Sequence, residues 1–210
     1  MSFNGKKNDK PLCLFGFEHV NRYNDPLQNN QVVAKIIPGE FYITRHSEMI
    51  TTVLGSCISV CVYDLAEGIG GMNHFMLPSI GLEGQPEDWH VNGCGRYGDL
   101  AMKNLLKGMI KHGAKREDLK IKVFGGGQIL RSKGDVGARN IEFITEYIAN
   151  KNLSVEGIDV GDDFPRKVNF FPLTGKVMVK KLKKLNNDTI FQREKNYDDD
   201  LSHDPQLGKF

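Results

Sequence analysis

Two apolar segments joined by a short polar turn constrain the fold of this chain more than any other feature of its sequence. The first, ITTVLGSCISVCVYD (50–64), is rich in β-branched residues, and the second, IGGMNHFMLP (69–78), ends at a proline. The connection between them, DLAEG (64–68), has the composition of a turn. Two such segments with so short a connection predict an antiparallel β-hairpin.

The rest of the chain alternates between strand-like and helix-like patterns. Apolar residues at helical spacing predict helices over 100–113 and 138–150. Because several consecutive strands are separated only by short turns, we expect an α+β fold, a layered α/β sandwich with a mixed and largely hairpin-connected sheet. Further strands are predicted at 32–37, 41–44, 119–124, 153–160, 167–171 and 176–182.

Composition divides the 210 residues into three parts. Residues 1–31 are polar and interrupted by prolines, which predicts a partly ordered N-terminal arm. Residues 32–182 carry the periodic pattern and predict a single domain that is long enough to bury a core. Residues 183–210 are polar and acidic near their middle, which predicts a mobile tail.

The overall charge and the cysteine content exclude several classes of protein. A formal net charge of +2 is too small to predict a nucleic-acid partner. No stretch approaches the roughly 18 apolar residues that a membrane span requires, so we expect no membrane insertion. The cysteines, Cys13, Cys57, Cys61 and Cys94, are irregularly spaced and do not resemble a disulfide framework. With no recognisable secretory signal, we expect reduced thiols and a cytoplasmic location.

Cys57 is the first candidate for chemistry, because it follows two small residues, Gly55 and Ser56. Small residues let the backbone turn tightly and leave a sulfur approachable. They also leave backbone N–H groups available for a developing oxyanion. The alternative is a structural free cysteine in a β-rich core, which is the commoner situation.

His74 is the second candidate, because the hairpin brings it towards Cys57. If the two apolar segments pair around the predicted turn, the residue numbers of the two partners in each pair add up to about 131 or 132. Cys57 and His74 add up to 131. The two side chains then lie on one face, with Cβ atoms roughly 4.5–8 Å apart. An imidazole at that distance favours the thiolate and supplies a general base and acid. The alternative is a core histidine that is hydrogen-bonded to the backbone.

A third side chain is needed to orient the imidazole. Thr51 and Thr52 lie on the strand that enters the Gly55–Ser56 turn, and either hydroxyl is suitable. Alternation along a strand puts the two on opposite faces, but the sequence alone does not say which face meets His74. For either threonine the alternative is simple β-propensity.

Zinc binding is the main rival for these residues. Cys57, Cys61, His74 and His90 are of the types that bind zinc. Residues four apart on a strand lie about 13 Å apart, whereas each ligand of one zinc ion lies only about 2.0–2.3 Å from the metal. Cys57 and Cys61 therefore cannot share an ion on a strand, and we expect no metal site.

Two further features lie near the predicted site. Gly125-Gly126-Gly127 follows a predicted strand, but it lacks the Lys-Ser/Thr of a phosphate-binding loop. We expect a tight turn near the rim of the site. Ser132, Arg139 and Asn140, before and at the start of the second predicted helix, could line the site, but a surface position is the favoured interpretation for all three.

The residues in this order resemble the CheD family of bacterial chemoreceptor glutamine deamidases. The resemblance covers roughly residues 17–182 with the spacing of its motifs intact. It is carried by FEHVNRYND, KIIPGEFYIT, TTVLGSCISVCVYD, GIGGMNHFMLP, RYGDLAM, KVFGGGQIL, VGARNIEFI and FFPLTGKVMVKKL.

The resemblance implies hydrolysis of particular glutamine side chains on the cytoplasmic helices of chemotaxis receptors, with no cofactor. It makes Cys57 the nucleophile, through a thioester, and His74 the catalytic histidine. It puts the catalytic threonine six residues before the cysteine, at Thr51, with Thr52 as the adjacent alternative. It implies a fold similar to that of deamidating bacterial toxins, and it permits a CheC-type phosphatase as a further partner without requiring one.

The residues expected to contribute to oxyanion or substrate binding are those beside the catalytic pair, namely Gly55, Ser56 and Asn73. Two rival functions remain open at this point. One is a catalytically silent adaptor of the same fold that binds receptors or a CheC-type phosphatase. The other is a cysteine hydrolase with a different amide or peptide substrate, which likeness of fold alone does not exclude.

Overall fold

The computed structural model describes residues 12–79, 94–129 and 135–182, together with positions 192, 195 and 196. Those three ranges contain two α-helices, three single-turn 3-10 helices and ten strands. The α-helices are α1 (Gly98–Lys111) and α2 (Val136–Lys151). The strands are β1 (Asn21–Asp25), β2 (Gln31–Lys35), β3 (Phe41–Thr44), β4 (Glu48–Leu54), β5 (Ile58–Asp64), β6 (Ile69–Asn73), β7 (Lys120–Gly125), β8 (Ser154–Val160), β9 (Arg166–Phe171) and β10 (Lys176–Lys181).

The strands form two mixed five-stranded sheets. The first sheet has the order β1-β2-β4-β9-β10, and the second has the order β3-β6-β5-β7-β8. The hairpins β1–β2, β5–β6 and β9–β10 are antiparallel, whereas β2–β4 and β7–β8 are parallel pairs. The predicted α+β layered fold with largely hairpin-connected strands is confirmed.

The second sheet lies in the middle of the molecule, between the first sheet and the helices. Two neighbouring glycines of β6 show this directly. A Cβ at Gly70 would lie 2.8 Å from Cβ of Pro172, which follows β9 in the first sheet. A Cβ at Gly71 would instead lie 3.0 Å from Cδ1 of Leu105 on α1. Every residue of β5 and β6 is buried, because both faces of these strands are covered.

The strand β1 is a feature that the sequence did not predict. Its residues, NRYND, are polar, since β1 is the edge of the first sheet and exposes much of its length. It is nevertheless tied to the core, because Arg22 forms an ion pair with the buried carboxylate of Glu48. Just before β1, Phe17 and Val20 are buried as well. Part of the predicted arm is therefore ordered; the domain boundary at residue 32 stays a prediction.

The other predicted strands and both predicted helices are present, with ends that differ by a few residues. The Gly- and Pro-rich composition of residues 79–99 predicts a long loop, and most of this segment, residues 80–93, lies outside the described residues. The predicted tail at 183–210 also lies outside them, apart from three positions. Among the helices of the described ranges, none is both long enough and apolar enough to cross a membrane.

Gly71→Ala is expected to destabilise the protein, because the middle layer has no room for a methyl group at this position. The new Cβ would lie 2.7 Å from Cγ1 of Ile43 and 2.8 Å from the carbonyl oxygen of Tyr42. Overpacking of this kind lowers the free energy of unfolding by about 1–3 kcal/mol. Thermal unfolding followed by circular dichroism measures the change.

Gly157→Ala on β8 is the matched control. The nearest atom to its Cβ would be Cγ of Lys122 at 3.5 Å, an ordinary contact with a flexible side chain. Alanine is favoured over glycine within strands by about 0.5–1 kcal/mol, so this variant should be as stable as the parent or slightly more stable. Equal losses of stability in the two variants would contradict the three-layer packing.

Candidate active site

Cys57 and His74 lie on the same face of the β5–β6 hairpin. The numbers of paired residues sum to 133 along the two strands, and the Ile58–Phe75 bridge continues this register. The predicted sum was 131 or 132, so the observed register is shifted by one or two positions. Cys57 and His74 are therefore diagonal neighbours, on the face of the second sheet that packs against the first.

The imidazole of His74 is held from the first sheet by Thr52 of β4. Oγ1 of Thr52 lies 2.8 Å from Nδ1 of His74 and 2.9 Å from the carbonyl oxygen of Ile36. The hydroxyl has one proton and donates it to the Ile36 carbonyl, so Nδ1 of His74 must donate to Oγ1. This hydrogen-bond pattern assigns the Nδ1–H tautomer, in which Nε2 keeps the lone pair that accepts a proton from a thiol.

The prediction that Thr51 orients His74 is corrected by this geometry. Thr51 is adjacent to Thr52 on β4, so its side chain lies on the opposite face of the first sheet. There its Oγ1 lies 2.6 Å from Oδ1 of Asn169 and 3.2 Å from the carbonyl oxygen of Val168, both on β9. The orienting position belongs to Thr52, the alternative that the sequence leaves open.

The backbone of His74 is fixed by the turn before β3. Its N–H donates to the carbonyl oxygen of Glu40 at 2.9 Å, and its carbonyl accepts from the N–H of Gly39 at 2.7 Å. Gly39 has a positive φ of 87°, which favours glycine. Because the turn approaches His74 from β3, the edge strand of the second sheet contributes to positioning the base.

Asn73 lies next to His74 but points to the opposite side of the second sheet. Its Oδ1 accepts from the N–H of Val60 at 2.9 Å, and its Nδ2 lies 3.4 Å from the sulfur of Met102 on α1. The prediction that Asn73 contributes to an oxyanion or substrate site beside Cys57 is therefore corrected. Its side chain joins the hairpin to α1 instead.

The glycine turn after β7 (125–127) supports the residues before β5, Gly55–Cys57, which we name the nucleophile loop. The N–H of Gly126 donates to the carbonyl oxygen of Cys57, and the N–H of Gly127 donates to that of Gly55, each at 2.8 Å. A Cβ at Gly125 would lie 2.1 Å from the carbonyl oxygen of Cys57, so this contact requires glycine. The glycines lie directly behind the nucleophile loop, near the predicted site, and their forming a tight turn stays a prediction.

The middle of the nucleophile loop is held by helix α2. Nδ2 of Asn140 donates to the carbonyl oxygen of Ser56 at 3.1 Å and to that of Met76 at 2.8 Å. The Asn140 side chain is fully buried, so the favoured surface position at the start of the helix is wrong. One amide group thus bridges the segment that carries Cys57 and the segment that carries His74.

These contacts also fix the direction of backbone N–H groups. The peptide unit is planar and trans, and none of the described peptide bonds is cis. In a trans peptide unit the carbonyl of one residue and the N–H of the next residue point in opposite directions. Where the carbonyl points towards the glycine turn or α2, the N–H of the next residue therefore points away from it. The N–H groups of Ser56 and Cys57 point away from these supports, as donors to an oxyanion would. This orientation fits the predicted oxyanion role of Ser56; that role, and the one predicted for Gly55, stay predictions.

Cys61 is an internal comparison for Cys57. It lies on the same face of β5, and its burial raises the pKa of its thiol far above the ordinary value, an effect that the charge of Lys122 only partly offsets. We therefore expect Cys61 to be inert at neutral pH. Cys57 is equally inaccessible in this structure, with 1% of its surface exposed, but it shares its face with His74.

Metal binding finds no support in the described part of the chain. Across those residues, no group of three or more His, Cys, Asp or Glu side chains is arranged to hold an ion. Cys57 directly precedes β5 and Cys61 lies in the middle of that strand.

Thr52→Val is expected to lower kcat for the reaction of this site by roughly 10–100-fold. The hydroxyl would stabilise an imidazolium at His74, and a hydrogen bond to a charged group contributes about 1.5–3 kcal/mol. Thr51→Val is the matched control, since it removes a hydroxyl from the adjacent residue on the opposite face. Its kcat should stay within about twofold of the parent value. A larger loss for Thr51→Val than for Thr52→Val would refute the assignment of the orienting residue.

Comparison with known proteins identifies the family. A sequence model described as CheD chemotactic sensory transduction matches residues 76–181. A protein of Halorhodospira halophila is 46% identical over 201 residues, which cover 94% of this chain and 92% of that protein. A protein of Hahella chejuensis is 46% identical over 204 residues, which cover 97% and 95% of the two chains. Each is named "Probable chemoreceptor glutamine deamidase CheD".

The two kinds of match cover different parts of the site. The matched family region begins at Met76, so it includes Asn140 and the glycine turn but neither Cys57 nor His74. An alignment that spans 97% of the chain necessarily includes both of them. With such identity over nearly the whole length of both proteins, this chain belongs to the CheD family.

Proposed function

We propose that this chain is a protein-glutamine deamidase that converts glutamines on the cytoplasmic helices of chemotaxis receptors to glutamate and releases ammonia. Membership of the CheD family and the names of the relatives support the substrate class. The observation that carries the chemistry is the hydrogen bond from His74 to Thr52, on the face that His74 shares with Cys57. It supplies a base with a defined tautomer beside a thiol. A receptor substrate of this kind implies that the protein acts in the cytoplasm.

In the first half of the proposed reaction, Sγ of Cys57 attacks the carbon of the glutamine side-chain amide. The thiol proton passes to Nε2 of His74, and the resulting imidazolium is stabilised through Nδ1–H by Thr52. The negative charge on the amide oxygen is stabilised by N–H groups of the nucleophile loop. Breakage of the C–N bond follows when His74 returns the proton to nitrogen, and ammonia leaves a thioester.

In the second half, a water molecule gives a proton to Nε2 of His74 and attacks the thioester carbon. The C–S bond breaks, Cys57 recovers its proton from His74, and the product is a glutamate side chain. The net reaction consumes one water and releases one ammonia. The new carboxylate adds negative charge to a receptor helix, which can bias a two-state signalling equilibrium through local electrostatics.

The rival function of a silent adaptor accounts less well for this site. A protein that only binds receptors has no need for a buried threonine and histidine arranged to activate a thiol. A cysteine hydrolase with another amide substrate would use the same groups, so substrate choice must be tested directly. As a second proposal, the family resemblance suggests a CheC-type phosphatase as a binding partner, to be tested by co-elution of the two purified proteins.

The decisive experiment is to incubate the protein with a receptor cytoplasmic fragment and to follow each glutamine by peptide mass spectrometry. We expect selected glutamines to gain the mass of an amide-to-acid conversion with the wild-type protein but not with Cys57→Ala. Cys61→Ala is the matched control and should retain activity, because the Cys61 thiol is not part of the proposed site. Equal conversion by wild type and Cys57→Ala would exclude the proposal.

Substrate choice is tested in the same assay with free glutamine and with an unstructured glutamine-containing peptide. We expect the receptor fragment to be converted much faster than either. Faster release of ammonia from the small amides would favour the general amidohydrolase instead. Binding of the receptor fragment without conversion by any variant would favour the adaptor.

A further inference from the structure

Asn140 is the buried polar side chain that links the two halves of the site but takes no part in the proposed chemistry. Its contacts lie on segments that are distant in sequence, 84 residues away at Ser56 and 64 residues away at Met76. Each acceptor is a backbone carbonyl, so the contacts do not depend on the identity of those two side chains. What they fix is the path of the backbone beside Cys57 and beside His74.

The helix that carries Asn140 is built to reach this position. Gly137, one turn earlier on the same face of α2, packs against the glycine turn, and a Cβ there would lie 2.7 Å from the carbonyl oxygen of Gly126. Ile141 contacts the same turn, since a Cβ at Gly126 would lie 2.5 Å from its Cγ1. The start of α2 therefore packs directly on the turn that supports the nucleophile loop, with Asn140 at the centre of the contact.

The atoms of the amide group show which of its functions matters. Both N–H protons of Asn140 are used, one on each segment. Its Oδ1 is buried and has no hydrogen-bond partner among the described residues. An unsatisfied buried acceptor is costly and calls for a compensating role. Packing alone would be served better by an apolar side chain, so the two donated hydrogen bonds are the reason for an amide.

We propose that Asn140 is a positioning residue for the deamidase reaction, which holds the Cys57 and His74 segments in register and aims the N–H of Cys57 at the oxyanion. The planar Ser56–Cys57 peptide links the two effects, since its carbonyl is held by Asn140 and its N–H points the opposite way. The Asn140 amide donates to backbone carbonyls of Ser56 and Met76 and not to the side chains of Cys57 or His74, so its proposed role is to act through them. This inference rests on the proposed function for its effect on rate, but its effect on the thiol is independent of any substrate.

Asn140→Asp and Asn140→Ser test the proposal, the first because it keeps the shape and removes both donors, the second because it keeps one donor without adding charge. In both variants we expect kcat on the receptor fragment to fall by about 10–100-fold per folded molecule, because misplacement of reacting groups by about 1 Å lowers the rate by about that factor. KM should change by less than about threefold, since the contacts with the substrate are kept. Arg139→Ala, an exposed neighbour on α2, should leave both constants within about twofold.

A second measurement separates positioning from mere stability. The rate of alkylation of Cys57 by iodoacetamide is followed against pH, with each cysteine resolved by peptide mapping, at a temperature where circular dichroism shows a folded protein. Both Asn140 variants should require a higher pH for half-maximal reaction than wild type, and Arg139→Ala should not. A role confined to stability would lower the melting temperature and leave this profile unchanged.

An unchanged alkylation profile in Asn140→Ser, or a kcat per folded molecule within about twofold of wild type, would overturn the proposal. Failure of the proposed function looks different. In that case wild type itself converts no glutamine, while the alkylation profiles of wild type and the Asn140 variants still differ. If Asn140→Asp does not fold, Asn140→Ser supplies both measurements.

Discussion

Cys57→Ala and His74→Ala are each expected to lower kcat for receptor deamidation by about 10⁴–10⁶-fold while leaving the protein folded. In the proposed mechanism the two residues act as one unit, because the thiol needs the imidazole to lose its proton and the imidazole has no proton to accept without the thiol. Removal of either member of such a pair costs nearly as much as removal of both. The double variant should therefore be no slower than the slower single variant, within about tenfold.

Single-turnover conversion of a receptor fragment, quantified by peptide mass spectrometry over long incubations, provides the necessary range. Thermal unfolding of each variant provides the control for structure, since substitution of a fully buried histidine removes the contact with Thr52. If kcat of the double variant fell by the product of the two factors measured for the single variants, Cys57 and His74 would act independently. That result would contradict the proposed transfer of the proton from sulfur to Nε2.

Arg166→Met is expected to lower the free energy of unfolding by about 1–3 kcal/mol, the typical cost of leaving buried hydrogen-bond acceptors without their donor. The Arg166 side chain is fully buried. Its Nε donates to Asp159 at 3.1 Å, and its two terminal nitrogens donate to the carbonyl oxygens of Gly125 at 3.0 Å and Gly161 at 2.7 Å. Methionine fills a similar volume but leaves all three acceptors without this donor.

The matched control is Lys181→Met, which removes a cation from the same neighbourhood. Nζ of Lys181 lies 3.8 Å from carboxylate oxygens of Asp159 and Asp162, but its side chain is 44% exposed. Exposed ion pairs of this kind contribute at most about 1 kcal/mol. Chemical denaturation should therefore separate the two variants clearly. Equal midpoints would indicate that burial and the bonds to backbone carbonyls add nothing at Arg166.

Arg166 also connects stability to the site. The carbonyl that it holds belongs to Gly125, which pairs with Ile58 immediately after Cys57. We therefore expect the residual folded fraction of Arg166→Met to show reduced activity as well. The nucleophile loop is held by the glycine turn, and the glycine turn is held in turn by Arg166.

Much of the fold was predictable because hydrophobic pattern and turn composition agree with it. β5 and β6 are long β-branched or apolar segments, and the turn between them is short, so the hairpin follows from local sequence. β1 was not predictable in this way. Its polar residues are held by pairing with β2 and by the ion pair of Arg22 with Glu48, and no local pattern encodes those contacts.

The candidate site was predictable to the extent that it is local. Cys57 and His74 lie on paired strands, and counting across one turn brings them together. The choice between Thr51 and Thr52 required knowledge of which face of β4 meets the second sheet, and that is a property of the tertiary structure. The prediction that Asn73 contributes to the site was wrong for the same reason. Asn73 is adjacent to His74 on a strand, so its side chain lies on the opposite face of the sheet.

The burial of Asn140 could be predicted neither from the local hydrophobic pattern nor from counting residues across a turn. A polar residue in the first turns of an amphipathic helix is usually exposed, and the pattern around it favours that interpretation. Its burial follows from the packing of Gly137 on the glycine turn, which depends on contacts across more than sixty residues. A short motif that combines glycine and asparagine one turn apart was the available signal.

The supports of the nucleophile loop come late in the chain, and this has a consequence for the life of the protein in a cell. During synthesis Cys57 leaves the ribosome well before the glycine turn and α2 exist, and contacts between distant segments form late in folding. A nascent or partly folded chain therefore carries an ordinary thiol. On the proposed mechanism we expect hydrolytic chemistry only in molecules that have completed their fold, so newly made or damaged copies should not attack the glutamines of bystander proteins.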